Sequence, residues 1–154
     1  MSAEKTATPP RWLKPMNRVL MAVQRLGLGM KDLPVLTVPG RRSGAPRSTP
    51  LSVLDLDGER YLLEGFPGAD WARNARAAGT GTLSVGKARE HVRLVELDPQ
   101  DAVPILRAWP VRLPDGAKIM RDAGVVDELT PEAFEGLAGR CAVFRLDDPD
   151  NAAG

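Results

Sequence analysis

The chain has 154 residues, 43% of them hydrophobic, and a formal net charge of +1; this length and charge balance suit one soluble domain and give no general reason to expect a nucleic-acid partner. The single cysteine and the single histidine exclude a disulfide within the chain and a zinc-type ligand cluster, so no metal is expected, and the cysteine count favours the reducing cytoplasm. No apolar run approaches the roughly 18 residues of a membrane-spanning helix.

The N-terminal part is predicted to contain a polar, disordered arm over residues 1–9 and an amphipathic helix over residues 10–28. The apolar residues of this segment recur at helical spacing, as Trp12, Leu13, Met16, Val19, Leu20, Val23 and Leu26. The charged residues of 11–28 are all basic. The simplest interpretation is a helix packed on the core, and the alternatives are a lid over a binding cleft or a peripheral contact with a membrane surface.

Short strands follow, and they are predicted over residues 34–39, 48–56 and 60–65. Asp57-Gly58 is a strong hairpin signal between the second and third of them. A Phe-Pro-Gly break then precedes an alanine-rich helix over residues 69–78, which Gly79 is expected to end.

The second half is predicted to contain strands over residues 80–85, 89–97 and 140–146 and helices over residues 99–109 and 131–137. Asp98 and Thr130 are the expected N-caps of these helices, and residues 111–128 are ambiguous because they contain one proline and two glycines. In the last strand Ala142, Phe144 and Leu146 alternate with Cys141, Val143 and Arg145, and Cys141 is expected to be a small core residue. The pattern favours a mainly β, α+β fold: one antiparallel barrel of about six strands over residues 10–147 with helices outside, followed by a polar tail over 148–154.

The turn between the first two strands concentrates positive charge. Residues 40–50 read Gly-Arg-Arg-Ser-Gly-Ala-Pro-Arg-Ser-Thr-Pro, and no acidic residue occurs from Leu33 to Leu54. Arginine binds phosphate or carboxylate through two parallel hydrogen bonds, so this turn predicts an anion-binding site; the alternative is a solubilising surface. The side chains available to an anion are those of Arg41, Arg42, Arg47, Ser48 and Thr49.

Groups near this turn could accommodate a planar ring. Pro50 offers a flat apolar surface, and Trp71 and Asn74 share one face of the predicted helix because they are three residues apart. Trp71 could pack against the ring, and Asn74 could bind its polar edge. The alternative is that Trp71 is a core residue that anchors the helix. The sole histidine, His91, is expected on the surface, so no catalytic residue is assigned and a cofactor is expected to carry the chemistry.

Residues 36–51 resemble the Thr-x-x-Gly-Arg-[Lys/Arg]-[Ser/Thr]-Gly-x-x-Arg-x-[Ser/Thr]-Pro-Leu signature of the deazaflavin-dependent nitroreductase family. Residues 70–75 resemble the second motif of that family, at a helix start, and residues 142–146 its final strand. The resemblance implies a split β-barrel related to the FMN-binding split barrels and an actinobacterial type of source. It also implies the deazaflavin coenzyme F420, with FMN as the less favoured cofactor.

The same resemblance implies the residues that bind the cofactor. Three arginines lie near its tail phosphate and the others beside the deazaflavin; the set is Arg41, Arg42, Arg47, Ser48, Thr49, Pro50, Gly65, Trp71 and Asn74. Two positions depart from the family. Glu64 stands near the place of a lysine that contacts the tail in some members, and it would oppose an anionic tail if it faced inward. Ser52 stands where some nitro-reducing members have a tyrosine.

The expected function is therefore that of an oxidoreductase. It uses reduced F420 to transfer hydride to an electron-poor small molecule, which is a quinone, an enone or a nitro compound. The alternative is a non-enzymatic binding or carrier protein for deazaflavin, flavin or a fatty acid on the same barrel. The expected location is the cytoplasm, including the inner face of the membrane if residues 11–28 contact it.

Overall fold

The computed structural model describes residues 33–149, which form one antiparallel sheet and four helices. The strands are β1 (Val35–Pro39), β2 (Pro46–Pro50), β3 (Leu54–Leu56), β4 (Glu59–Leu63), β5 (Thr80–Val85), β6 (Ala88–Glu96) and β7 (Val143–Asp147). The helices are α1 (Asp70–Ala78), α2 (Pro99–Arg112), α3 (Pro114–Asp122) and α4 (Pro131–Glu135). The predicted arm and the predicted helix over residues 10–28 lie outside the described residues, as does the tail beyond residue 149.

The strand order in the sheet is β2-β1-β5-β6-β7-β4-β3, and all neighbours are antiparallel. The predicted Asp-Gly hairpin between β3 and β4 is confirmed: Asp57 and Gly58 have φ angles of 53° and 83°. Positive φ at both central residues matches the turn to the right-handed twist of the two strands.

The prediction of a single strand over residues 48–56 is wrong. This segment forms β2 and β3, which lie at opposite edges of the sheet because β2 pairs with β1 and β3 pairs with β4. One continuous strand could not pair with both partners, so residues 51–53 leave the ladder and connect the two edges. Because this connection is short, the sheet curls into a half-barrel that brings its two edges toward each other.

The two faces of the sheet bury two separate cores. We call the first the inner core; it comprises Leu36, Val38, Leu62, Trp71, Ala72, Ala75, Leu83, Val92, Leu94, Phe144 and Leu146 and packs under α1. The second, the helical core, lies between β3, β4, β7 and helices α2–α4, with Phe134 and Leu106 fully buried. The predicted alternation in the last strand is confirmed, since Phe144 belongs to the inner core whereas Val143 belongs to the helical core.

The helices after β6 differ in part from the prediction. Helix α2 continues to Arg112, and α3 occupies much of the segment that was ambiguous in sequence. Thr130 caps α4 as expected, since its Oγ1 accepts a hydrogen bond from the backbone N–H of Ala133 at 3.1 Å. Asp98 stands at the N-cap position of α2, but its side chain makes no capping hydrogen bond.

The last strand begins at Val143 rather than at residue 140. The backbone N–H groups of Arg140 and Cys141 both donate to the carbonyl of Leu137, at 2.8 and 2.9 Å. These residues therefore continue the turns that follow α4, and they are not available to the sheet. The third predicted strand likewise ends at Leu63, two residues earlier than expected.

Candidate cofactor-binding site

The arginine turn, residues 40–45 between β1 and β2, is closed by its own hydrogen bonds. The N–H of Gly40 donates to the carbonyl of Ala45 at 2.8 Å, and the N–H of Gly44 donates to the carbonyl of Gly40 at 2.8 Å. Ser43 Oγ accepts from the N–H of Ala45 at 3.1 Å. Gly44 has a φ of 77°, a backbone conformation that residues other than glycine rarely adopt. The turn is thus a defined platform rather than an open loop.

Arg41 fastens this platform to α1. Asn74 Oδ1 accepts two hydrogen bonds from Arg41, one from its backbone N–H at 3.0 Å and one from Nη1 at 2.8 Å. Arg41 Nη2 also lies 3.4 Å from Asp70 Oδ1. Asn74 is only 5% exposed. The two motifs therefore meet through Arg41 and Asn74, which are 33 residues apart in sequence, and the Arg41 guanidinium is already engaged within the protein.

Arg42 and Arg47 are the two cations of the turn region that remain available. Both residues are exposed, and neither forms an ion pair with a carboxylate of residues 33–149. The Arg47 side chain crosses Gly40, because a Cβ at position 40 would stand 3.5 Å from both Cγ and Nε of Arg47. That crossing brings the Arg47 head group back over the turn.

Strand alternation divides the predicted residues of β2 between the two faces of the sheet. Arg47 and Thr49 are opposite Val38 and Leu36 of β1, so they share the face of the inner core. Ser48 points to the other face, where its Oγ lies 2.7 Å from Thr37 Oγ1. Pro50, two residues further along, shares the face of Ser48.

The connection that follows β2 lies against helix α3. A Cβ on Gly116 of α3 would stand 3.9 Å from Ser52 Oγ, and a Cβ on Gly65 would stand 3.7 Å from Met120 Cγ. The predicted residue Gly65 therefore lies against α3 and not against the arginine turn. Helix α3 is a wall of the region that sequence reasoning missed, although Pro114 at its start is a usable helix signal.

Trp71 lies in the inner core. It is 9% exposed, and its ring centroid is 5.7 Å from that of Phe144 with an interplanar angle of 53°. This packing leaves little of the ring for a ligand. It favours the core-anchor alternative, in which Trp71 holds α1 against the sheet.

Glu64, the residue that departs from the family pattern, is buried at 5% exposure and does not face the arginine turn with a free charge. Its carboxylate accepts hydrogen bonds from the backbone N–H groups of Gly68, Ala69 and Ala142, at 2.8, 3.1 and 2.9 Å. The sequence predicts the charge of Glu64 near the cofactor tail but does not predict these hydrogen-bond partners. The signal was available, since the Gly-Phe-Pro-Gly turn that follows supplies N–H groups with no place in a strand.

Other reactive side chains lie elsewhere. Cys141 is buried, and burial is the main cause that raises the pKa of its thiol to about 12, with a further contribution from the charge of Glu64. Tyr61 packs against the helical core, and burial, followed by the charge of Glu59, raises the pKa of its phenol. His91 is exposed on β6, as expected, with Nδ1 3.3 Å from Thr82 Oγ1. Over residues 33–149 no three His, Cys, Asp or Glu side chains form a group that could hold a metal ion, and no helix is long and apolar enough to cross a bilayer.

Comparison with known proteins identifies a family. The family model described as F420H(2)-dependent quinone reductase matches residues 15–117, which include the arginine turn and α1. No curated protein matches the chain.

Solved structures show the same fold at low sequence identity. An F420-H2 dependent reductase, FDR-A, is 18% identical with a TM-score of 0.51, over 75% of this chain and 94% of that one. An FMN-binding protein related to pyridoxamine 5'-phosphate oxidase, from Nostoc punctiforme PCC 73102, is 14% identical with a TM-score of 0.55, over 92% and 82%. A protein of unknown function from Agrobacterium tumefaciens str. C58 is 15% identical with a TM-score of 0.52, over 84% and 53%.

The likeness to these structures confirms the split-barrel fold that the resemblance implied. The family match extends over most of the chain and confirms the expected cofactor and the expected type of enzyme. The chain belongs to the F420H(2)-dependent quinone reductase family, and it is an oxidoreductase that uses reduced coenzyme F420.

Proposed function

We propose that the protein reduces a quinone, and that the anionic tail of F420 binds at Arg42 and Arg47. The observation that carries the proposal is the pair of exposed arginines, without carboxylate partners among residues 33–149, on the turn that Arg41 and Asn74 hold in place and on the strand that follows it. Their chemistry fits a phosphate, which arginine binds through two parallel hydrogen bonds. Arg41 has a different role in this proposal, since its guanidinium anchors the turn.

The ring of the cofactor would lie along the face of β2 that carries Ser48 and Pro50, and it would point toward Gly65. Pro50 presents a flat apolar surface there, and Gly65 adds no side chain to the space next to Met120. When bound, the reduced deazaflavin supplies the hydride for the reaction. The residues of this chain orient the two reactants and exclude water, while solvent supplies the proton.

A quinone is the acceptor class that the surroundings favour. Ile119 on α3, the helix that lies against Ser52 and Gly65, is 40% exposed. An exposed apolar side chain of this size on that helix suits a lipophilic acceptor. Enones and nitro compounds remain as the other electron-poor classes to be compared with it.

The test of the tail site is the double variant Arg42→Ala/Arg47→Ala, titrated with F420 and followed by the fluorescence of the coenzyme. Charge-assisted hydrogen bonds contribute roughly 1.5–3 kcal/mol each. Because both arginines are exposed, we expect about 2 kcal/mol in total, which is a rise in Kd of about 30-fold. The wild-type affinity should also fall as salt is added, and that dependence should be weaker in the variant.

The matched control is Arg89→Ala. Arg89 is also exposed and without an ion pair among the described residues, but it lies level with Val35, at the end of β1 away from the arginine turn. Its removal should leave the Kd for F420 unchanged. An unchanged Kd in the double variant, or an equal loss in the control, would remove the assignment of the tail site.

The test of the acceptor is turnover with reduced F420 and three probes: menadione, 2-cyclohexenone and a nitroimidazole. We expect kcat/KM to be at least about tenfold higher for menadione, which corresponds to about 1.4 kcal/mol of preference in the transition state. Faster reduction of the nitroimidazole would contradict the quinone assignment. Binding of F420 without turnover of any probe would favour the carrier alternative.

A peripheral membrane contact through residues 11–28 is the second part of the proposal. The charged residues of that segment are all basic, and basic segments are attracted to anionic headgroups. The protein should sediment with vesicles that contain phosphatidylglycerol and not with vesicles of phosphatidylcholine alone. Equal recovery with both kinds of vesicle would remove this part.

A further inference from the structure

The carboxylate of Glu64 connects three segments of the chain. Oε2 accepts from the N–H groups of Gly68 at 2.8 Å and Ala69 at 3.1 Å, and Oε1 accepts from the N–H of Ala142 at 2.9 Å. The backbone N–H of Glu64 in turn donates to the carbonyl of Ala142 at 2.8 Å. A buried charge is costly unless hydrogen bonds satisfy it. The three N–H donors satisfy the Glu64 carboxylate, and in doing so they hold the three segments together.

These bonds lead to the start of α1. Ala69 is the N-cap residue of that helix and, being alanine, has no side chain that could cap it. The Glu64 carboxylate holds the segment that enters the helix, because it accepts from the N–H of Gly68 and from that of Ala69, which also donates to the carbonyl of Phe66 at 3.0 Å. It also places a negative charge beside the positive end of the helix dipole. Glu64 therefore sets where α1 begins.

The position of the start of α1 determines, through two of its side chains, the position of the arginine turn. Asp70 and Asn74 lie in the first turns of the helix, and both contact Arg41. Glu64 is thus linked to Arg41 in three steps: its hydrogen bonds to the residues before α1, the helix itself, and the hydrogen bonds between Asn74 and Arg41. A shift at the start of α1 would move the platform that carries Arg42.

We propose that Glu64 is a positioning residue of the cofactor site: it holds the start of α1, and through Asn74 and Arg41 it holds the arginine turn in the conformation that binds the F420 tail. This inference rests on the proposed tail site. It also assigns the N–H groups of Gly68 and Ala69 to Glu64, so the tail phosphate depends on the turn and not on the residues before α1.

The first test is Glu64→Gln, which keeps the size of the side chain. A glutamine amide has one oxygen, so its NH2 group must face at least one N–H that the carboxylate accepts from, and two donors then oppose each other. We expect faster amide hydrogen exchange at Gly68, Ala69 and Ala142. We also expect the Kd of F420 and the KM for reduced F420 to rise about tenfold, or about 1.4 kcal/mol, while the KM for menadione stays unchanged.

Two control variants separate positioning from general stability. Glu59→Gln removes an exposed charge from the same strand, β4, and should change neither the exchange rates nor the Kd. Phe134→Leu weakens the helical core on the other face of the sheet, where Phe134 is fully buried. It should lower the melting temperature without raising the Kd of F420 at a temperature where the variant is folded.

A second variant disturbs the same loop without removing the buried charge. Gly68 has a φ of 82°, and a Cβ there would stand 3.3 Å from Arg73 Nη2. Gly68→Ala should therefore strain the loop and raise the Kd of F420 in the same direction as Glu64→Gln. It provides the measurement if Glu64→Gln does not fold.

The Arg42→Ala/Arg47→Ala variant is measured alongside. A raised Kd in that variant, together with an unchanged Kd in both Glu64→Gln and Gly68→Ala, would overturn the positioning role and leave the tail site standing. A Kd that rises as much in Phe134→Leu as in Glu64→Gln would overturn it as well. The menadione KM supplies a further criterion, because a purely structural loss would not spare the acceptor side.

Discussion

Asn74 is the residue on which the joining of the two motifs depends, and its replacement gives the sharpest test of the site geometry. Asn74→Ala removes the oxygen that accepts from the backbone N–H of Arg41 at 3.0 Å and from its Nη1 at 2.8 Å. Nothing else in the described part of the chain accepts from that backbone N–H. The variant therefore leaves one neutral and one charged donor without their partner.

The size of the effect follows from the two bonds. A neutral hydrogen bond contributes about 0.5–1.5 kcal/mol and one to a charged group about 1.5–3 kcal/mol. Water can replace part of this, because the Arg41 side chain is 25% exposed. We expect a loss of about 2 kcal/mol in the free energy of unfolding, or a fall in melting temperature of about 4–8 °C for a domain of this size.

The assay is urea unfolding of the wild type, Asn74→Ala and Asn74→Asp under the same conditions. Aspartate keeps an acceptor oxygen, and its charge lies beside the Arg41 guanidinium, so Asn74→Asp should stay within about 1 kcal/mol of the wild type. The reasoning is refuted if Asn74→Ala loses less than about 0.5 kcal/mol, or if the two variants lose equal amounts.

Three further predictions concern other parts of the fold. The Cys141 thiol, with its pKa raised to about 12, should react with iodoacetamide in mildly alkaline buffer far more slowly in the native protein than in urea. Gly81→Ala should lower stability by about 1–3 kcal/mol, because its Cβ would stand 2.9 Å from Val38 Cγ1 and 3.0 Å from a backbone oxygen. Arg60 binds Glu90 through two hydrogen bonds and lowers the pKa of that carboxyl below its ordinary 4.5, so Glu90→Gln should cost about 0.5 kcal/mol at neutral pH and progressively less as the pH falls through that lowered pKa.

The sign of the last prediction follows from the direction of the shift. A carboxyl whose pKa is lower in the folded state stabilises the protein above its unfolded pKa, and this stabilisation is lost as the pH falls through the folded pKa. A difference between Glu90→Gln and the wild type that grew in acid would contradict it. For Gly81→Ala the control is Gly116→Ala, whose Cβ would have 3.9 Å to its nearest neighbour, Ser52 Oγ; equal losses in the two variants would contradict the steric argument. Equal alkylation rates of Cys141 in native and unfolded protein would contradict its burial.

The sequence predicted most elements because their signals are local. Alternation along β7 separates Phe144 from Val143, and the Asp-Gly pair at residues 57–58 sets its own hairpin. The division of residues 48–56 into β2 and β3 is different in kind. It depends on which strand each half meets across the sheet, and no pattern within nine residues carries that information.

The site shows the same limit. The arginine-rich turn and the Trp-x-x-Asn pattern are visible in sequence, and so is the resemblance that links them. The sequence does not show which arginine is engaged within the protein, because this depends on the contact between Arg41 and Asn74 over a separation of 33 residues. The local turn after Glu64 indicates two of its donors, but no local pattern indicates the third, because Ala142 is 78 residues away. Helix α3 could have been predicted from Pro114 at its start, but Gly116 and Gly124 made the segment ambiguous.

The position of β7 has a consequence for synthesis on the ribosome. It is the last strand in chain order, yet it fills the gap between β6 and β4, pairing Val143 with Leu63 across 80 residues. A nascent chain that has not yet released residues 143–147 carries two unpaired strand edges and an incomplete cover for each core, and such edges are the usual templates for aggregation. Pairing at this separation is also slow. A chain whose translation pauses before β7 is therefore the one most in need of a chaperone. Variants that weaken β7 should reduce the soluble yield by more than their loss of equilibrium stability would predict.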